Sequence, residues 1–475
     1  MTQILREYVQ DDTLVIFRLA VFHPWNRSGP PFAGSIAAHF FVIYRAAIQE
    51  NQSMAGPTIE TDVLVCGGGC AGLAAALAAA RNGAKTLMIE RAGFAGGIVT
   101  AVGLPYFDGM YEKKSARKVV RGIAEELIEL LPHFPIDMKH VCVPIKNIER
   151  FKLVSDRLLQ AERGRLDVLF HSFACDVKVE SGRIAEVRVA NKDGLVTIKP
   201  KVVIDATGDG DIAAWSGAPV IKTHPLQPMT LHFRIGNVQP NEELNNRCRA
   251  ECEAALKAGE IKSFYGPGIM FMFAENEIYL HVIRVPGDAS SAADLTRAEM
   301  QARSDAWVMF ERWKKSVPGM EDSYFLAAAP YIGVRETRRI VGQHVISEQD
   351  IKADKRFDDA IATGCWYLDV HPQEATSGDC NTVPSFWPNA YDIPHRSILP
   401  QTISNLLVAG RCHSATAMAA ASTRVTVTAM ALGEAAGCAA AMGVAAKKEV
   451  AEMSGVAVRE SLARQNAGPF TDAEG

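Results

Sequence analysis

The chain has 475 residues, 48% hydrophobic and 22% charged, which is enough apolar material for the buried cores of two or three domains. A net charge of −4 leaves no basic footprint, which argues against a nucleic-acid partner. Ten scattered cysteines without a repeated C-x-x-C argue against an iron–sulfur cluster, give no metal site, and favour a reducing, cytoplasmic setting.

Residues 1–55 differ in character from the remainder of the chain. Ile36–Ile48 is apolar but interrupted by His39 and Arg45, too short and too polar to span a bilayer, and no small-residue cleavage site comes after a cationic start. No transmembrane segment is expected. Gly56-Pro57 is a linker-like break with Met54 just before it as an alternative start, so residues 1–55 are expected to pack poorly or to be dispensable.

The run from Thr61 to Glu90 then carries a complete dinucleotide-binding βαβ pattern. Val63–Cys66 reads as a buried parallel strand, and Gly67, Gly69 and Gly72 fill the glycine positions of G-x-G-x-x-G. Gly67 serves the tight turn, Gly69 the close approach of backbone to a pyrophosphate, and Gly72 the packing of helix on strand. A helix beginning near Cys70 and Ala71 points its free N–H groups at the diphosphate. Gly83 stops that helix, Lys85–Ile89 reads as the second strand, and Glu90, followed by Arg91, lies where a carboxylate accepts ribose hydroxyls. A second glycine turn, Gly93-Phe-Ala-Gly96-Gly97, suits an extended FAD better than a nicotinamide nucleotide.

Further along, Val119–Leu131 has helical spacing. Val168–Phe173, Ala174–Val179, Ile184–Ala190 and Leu195–Lys199 read as a small β meander. Val202–Asp205 is again a strand, leading into Ala206-Thr-Gly208-Asp209-Gly-Asp211, and Asn405–Val408 leads into Ala409-Gly410-Arg411 in the same way. Three separated strand-then-glycine segments thus predict one sheet around one cofactor. Between them, helices are expected at Asn241–Ala258 and Leu295–Ser316. Cys248 and Cys252 on the first are read as ordinary thiols on one face.

Candidate chemistry lies in the same stretch. Arg335, Arg338 and Arg339 are expected within about one helical turn, suited either to a substrate carboxylate or to salt bridges with Glu336, Asp350 or Asp354. His371 is the first candidate base, at the end of the strand-like Trp366–Val370 and before Pro372. His395, beside Arg396, is the second. His413, next to Arg411, is a candidate to line the flavin. Ala419–Met442 reads as a helix capped by Ser422 or Thr423 whose N-terminus favours charge on a reduced flavin.

From about Ile59 to Met442 the chain resembles the bacterial FAD-dependent oxidoreductases of the two-dinucleotide-domain superfamily, whose wider membership includes the flavoprotein subunits of fumarate reductase and heterodisulfide reductase. The residues that carry the resemblance are Gly67–Gly72, Asp205–Asp209, Arg335–Gly342, Trp366–His371, Tyr391–Arg396 and Val408–Arg411. It implies FAD as cofactor, adenine contact through backbone at a position like Val177, and flavin contact through Ala419–Thr423.

The fold expected is α/β: a discontinuous Rossmann-like FAD-binding domain (56–214 and 400–445), an inserted mixed α+β substrate domain (215–399), and a C-terminal tail (446–475). The function expected is hydride transfer from a small-molecule substrate to the flavin, with oxygen, a quinone or a carrier protein as electron acceptor. The alternatives are an electron-transfer component working with a partner protein and a non-redox lyase or isomerase with structural FAD. A homo-oligomer is compatible with either.

Overall fold

A computed structural model describes residues 56–470, apart from 139–140, 263, 265–268 and 372–385. The expectations for residues 1–55 and for Pro372 fall outside the described residues.

Strand β1 (Thr58–Cys66) ends in a buried apolar run, and α1 (Cys70–Arg81) and β2 (Thr86–Ile89) follow as the βαβ pattern predicts. Helix α2 (Ile123–Glu129) is shorter than the expected Val119–Leu131, and α3 (Ile148–Ala161) precedes β3 (Leu166–Leu169). The meander is β4 (Phe173–Glu180), β5 (Arg183–Asn191) and β6 (Gly194–Asp205). Sequence periodicity divides β6 at Pro200, but it is one strand. Its first part pairs with β5, and Pro200 keeps its place opposite Thr61 in the ladder to β1.

The middle of the chain builds a second unit: β7 (Phe233–Gly236), α4 (Leu244–Lys257), β8 (Ile269–Ala274), β9 (Glu277–Leu280), α5 (Ala292–Ser316) and β10 (Tyr324–Ala328). These strands form a sheet in the order β8-β9-β7-β10, with their own core between sheet and helices, including Cys248, Cys252, Trp313 and Phe233. The hairpin β11 (Ala360–Gly364) and β12 (Tyr391–Pro394) comes next. Its buried residues Ile361, Ala362, Tyr391 and Ile393 join the core of the nucleotide-binding part, not that of the second unit. Beyond β13 (Leu406–Val408) come α6 (Ala417–Thr423), α7 (Thr426–Ala446) and α8 (Gly455–Arg464). The stretch expected to be a tail therefore carries α8, with Val458 and Leu462 buried.

The large sheet runs β3-β2-β1-β6-β5-β4, and β13 also pairs with β6. β6 is forked: Val187–Asn191 of β5 lies along its beginning, and β13 lies along its end. Around the cofactor side all the pairings are parallel, and Cys66 is level with Ile89 and Asp205, which is level with Val408. The turns after β1, β6 and β13 therefore leave one edge of the sheet together.

The expected single helix Ala419–Met442 is two. α6 is capped by Thr416, whose hydroxyl accepts from Ala419 N at 3.1 Å, so Ser422 and Thr423 sit in its last turn and cap nothing. α7 is long and apolar enough to cross a membrane by length and composition, yet most of it is buried inside the protein. It lies against α1 at van der Waals distance because Gly433 and Gly437 face the Ala71 and Ala75 carbonyls, where any Cβ would overlap backbone. Between these glycines, Glu434 is buried and accepts from Ile123 N at 3.0 Å, supplying the cap that Gly122 has no side chain to give α2.

This helix contact has two measurable consequences. Gly437→Ala is expected to cost ~1–3 kcal/mol of stability by overpacking, read by chemical denaturation. Burial raises the Glu434 carboxyl to about 7. Its contribution is fully present below its ordinary pKa near ~4.5 and is lost as pH rises through about 7. Glu434→Gln, which keeps an acceptor for Ile123, should flatten the stability profile between about pH 5 and 8, whereas an unchanged slope would contradict this.

Candidate functional site

The three turns form a cradle. Gly67 has a left-handed φ of 103° and no room for a Cβ against the Ala206 carbonyl, while a Cβ on Gly72 would overlap the Gly67 carbonyl. Gly69 is different: a Cβ there would meet nothing within 4 Å, and as N-cap of α1 it offers no side-chain cap. Open space thus lies over the uncapped start of a helix, which is what a pyrophosphate requires. The second glycine turn closes the cradle. Gly96 N donates to Gly68 O at 2.8 Å, the Cys70 thiol donates to Gly96 O at 3.2 Å, and Gly97 packs on Gly69 Cα.

Around the cradle, Glu90 accepts from Gly68 N and Ala92 N, both at 2.7 Å, one at each carboxylate oxygen. Each oxygen keeps a second lone pair for a ribose hydroxyl. Arg91 lies over the Tyr331 ring at 5.0 Å. Val177 is on β4, the edge strand, opposite Val187. Ala71 lies against Gly410 at the β13 turn. Asp205 is buried and holds the Ala206–Asp211 loop through Thr207 N, Thr207 Oγ1 and Ala213 N. Within that loop Gly208 faces the Arg411 guanidinium, and Asp209 accepts from Arg411 at 2.8 Å and from Thr337 Oγ1 at 2.6 Å.

Segment 335–338 is irregular, not helical. Its arginines accordingly diverge. Arg338 pairs with Asp211 and donates to Asp209 O, and Arg339 is buried against Glu336 at 2.5 Å, so both tie the segment into the fold. Of the other acids considered as partners, Asp350 pairs with Lys355 and Asp354 accepts from Asn389. Arg335 donates to Pro228 O at 2.8 Å and to Thr230 Oγ1.

Arg335 belongs to a buried polar cluster, acting on Asp369, His371 and His232. Trp366–Val370 is irregular rather than a strand, but it delivers Asp369 and His371 side by side, with His371 Nε2 2.9 Å from Asp369 Oδ1. Tyr367 OH donates to the same oxygen at 2.9 Å, and Arg424 Nη2 lies 3.4 Å from Oδ2. Burial opposes a charge on Asp369, yet His371, Arg424 and Arg335 together hold its carboxyl far below the usual range. His371 is 5% exposed, and burial, reinforced by Arg284 and Arg335, lowers it to about 3 against the pull of Asp369. The resting pair is therefore a carboxylate with a neutral imidazole. With Nε2–H on Asp369, the lone pair sits on Nδ1.

Sequence reading missed most of this cluster. His232 lies 2.5 Å from Tyr279 OH, and burial with Arg335 and Arg284 lowers it to about 3. His281, adjacent to both rings, is lowered well below its usual range by burial, then by His232, Arg284, Arg335 and His371. Asp108 is raised to about 7 by burial and by the charge of Asp369. His232 immediately precedes β7, Tyr279 is on β9, His281 follows β9, and Asp108 ends the strand Tyr106–Asp108. No local motif marks them.

The second candidate pair lies elsewhere. Tyr391 at the start of β12 shares a 2.6 Å hydrogen bond with Ser422, whereas His395 is about 13 Å further along the chain. There Arg396 pairs with Asp359 at 2.9 Å, and both line a surface cavity with His395 and Gly455. His395 and Arg396 are thus not brought to His371. Ser422 also donates to Trp366 O at 2.5 Å, and Thr423 shares a 2.7 Å hydrogen bond with the buried His413.

The cofactor the residues call for is tested by what they leave unmade. Val425 gives α7 no side-chain cap, and Thr428 Oγ1 in its first turn and Trp366 Nε1 are buried without a partner among the described residues. A cradle for a diphosphate over Gly69, with buried unmet polar groups at Trp366 and Thr428, defines a protein that holds an extended dinucleotide. Residues 62–462 match the family described as FAD dependent oxidoreductase, and the chain belongs to it, with FAD as its cofactor.

Curated relatives include digeranylgeranylglycerophospholipid reductases of Thermoplasma acidophilum, 28% identical over 37% of this chain and 47% of the relative, and of Picrophilus torridus, 24% identical over 55% and 63%. The chain spans about half the length of the curated relatives it matches. Among solved structures, a geranylgeranyl bacteriochlorophyll reductase-like protein from Thermoplasma acidophilum is 16% identical with a TM-score of 0.45, covering 86% of this chain and 84% of its own. A p-nitrophenol 4-monooxygenase from Pseudomonas putida is 11% identical with a TM-score of 0.43, covering 87% of each chain.

Gly69 separates folding from binding. Its φ of −61° and the open space beside it admit alanine, so Gly69→Ala should leave stability unchanged while weakening FAD binding about tenfold or more, measured by flavin titration of the apoprotein. Unaltered affinity would remove the pyrophosphate from this turn.

Proposed function

We propose that this FAD-dependent enzyme is a dehydrogenase or oxidase. It removes a hydride from a C–OH, C–NH or activated C–H centre of a small anionic molecule while His371 takes the proton. The observation that carries the reading is the buried Asp369–His371 pair beside Arg284, Arg335 and Arg424. Bound FAD supplies the two-electron acceptor.

Asp369 fixes the imidazole tautomer and stabilises the imidazolium that forms when Nδ1 takes the proton. Arg284 and Arg335 act on His371, and Arg335 and Arg424 act on Asp369. A substrate carboxylate would meet these guanidiniums as planar, bidentate partners. The same carboxylate would tune the base: Arg284 and Arg335 help hold His371 at about 3, and neutralising their field raises its proton affinity. The relatives' name denotes a reductase of a digeranylgeranylglycerophospholipid. A cluster of arginines and histidines suits a hydrophilic substrate better, with electrons then leaving to oxygen, a quinone or a carrier protein.

His371→Asn is expected to retain flavin and to slow flavin reduction by substrate ~10²–10⁴-fold in anaerobic stopped flow. In the unaltered enzyme, kcat/KM should show no inflection near the usual histidine pKa, while the acid limb of kcat moves to higher pH. An unaffected reduction rate in His371→Asn would exclude His371 as the base.

A further inference from the structure

The core of the second unit reaches the surface through a stack of four rings. Trp313 lies on Phe233 at 6.4 Å, Phe233 on Phe325 at 5.4 Å, and Phe325 on Trp307 at 4.6 Å, each pair within 14° of parallel. Trp313 and Phe233 are buried, Phe325 is half-buried, and Trp307, the last ring, is 49% exposed. Phe310 meets the Trp307 ring edge-on at 5.6 Å, so the indole is held in place before anything covers it. Met300, two helical turns earlier on α5, is 64% exposed, and β10, which carries Phe325, is the edge strand of its sheet.

The charges beside this open ring are ordered about it. Every fourth residue of α5 forms the row Glu299, Arg303, Trp307, Glu311, Lys315, in which opposite charges stand at equal distances before and after the tryptophan. Arg303 pairs with Glu299 at 2.8 Å, whereas Glu311 and Lys315 are exposed and in no ion pair among the described residues. A polar face of one sign, rich in Lys and Arg, suits an anionic lipid surface. A row that alternates in this order suits its own reverse. Helices whose i±4 rows pack together cross at about −50°, and a two-fold axis through Trp307 lays one such row beside the other in the opposite direction. Arg303 of each copy then faces Glu311 of the other, Lys315 faces Glu299, and the two indoles meet at the centre.

We infer that this face of α5 and β10 is an interface between two copies of the chain, centred on Trp307 and flanked by two Arg303–Glu311 ion pairs. A rigid aromatic at the centre of an interface carries much of its affinity, and the charges around it set the register. The face includes no residue of the nucleotide cradle and neither member of the Asp369–His371 pair, so the inference stands apart from the proposed reaction.

The test is the mass of the flavin-loaded protein by light scattering over a dilution series. The expected species is a dimer. Trp307→Ser should weaken it about thirtyfold or more with flavin content unchanged. Arg303→Glu and Glu311→Arg should each weaken it about tenfold, and the double variant should associate more tightly than either, because the exchange returns opposite charges across the axis. A monomer at every concentration would overturn the inference, as would a dimer indifferent to Trp307→Ser or a double variant no tighter than the single ones. A monomer that sediments with phosphatidylglycerol vesicles, and ceases to do so in Trp307→Ser, would also overturn it and give this face to a lipid surface.

Discussion

The structure depends on one register. Cys66, Asp205 and Val408 end level in parallel strands drawn from three distant parts of the chain, so the turns beyond them leave the sheet side by side. The backbone ladders and the facing of the buried side chains fix this together. A shift of one residue in either ladder would reverse the facing of every side chain on the slipped strand and separate the turns. The glycines then act locally, and the close approach of α7 to α1 at Gly433 and Gly437 holds the starting end of α1 where the cradle needs it.

Electrostatics organises the polar cluster around Asp369. Asp369 receives donors from Tyr367, His371 and Arg424, which keeps it charged despite its burial. The histidines around it are held neutral by the same burial and by the arginines. The bases of the cluster are thus neutral at rest, and Arg284 and Arg335 help set the strength of each.

Legibility followed sequence distance. The βαβ unit from Val63 to Glu90 was readable because strand, turn, helix and acid are contiguous, and each glycine has the local role its spacing implies. The paired ends of β6 and β13 could be inferred only because each carries its own strand-then-glycine signal. His371 was found through its place in a motif, but its partner Asp369 is two residues away in an irregular segment that periodicity misread as a strand. The spacing of Arg335, Arg338 and Arg339 allows a helix, but the segment is irregular, with Arg338 held by Asp209 and Asp211 and Arg339 by Glu336 and Ala415 O. His232, His281, Arg284 and Asp108 carry no local signature, since only the meeting of two cores brings them together. His395 and Arg396 illustrate the converse: a motif near the site in sequence ends at the far side of a hairpin.

The central claim is that the three turns hold one FAD whose reactive ring meets the Asp369–His371 pair. A crystal structure of the flavin-loaded protein tests it most directly. The account predicts diphosphate density over Gly69 and the isoalloxazine in contact with the cluster that includes His371. Density for the ring on another face of the protein, with the Asp369–His371 pair sealed away from it, would contradict the account.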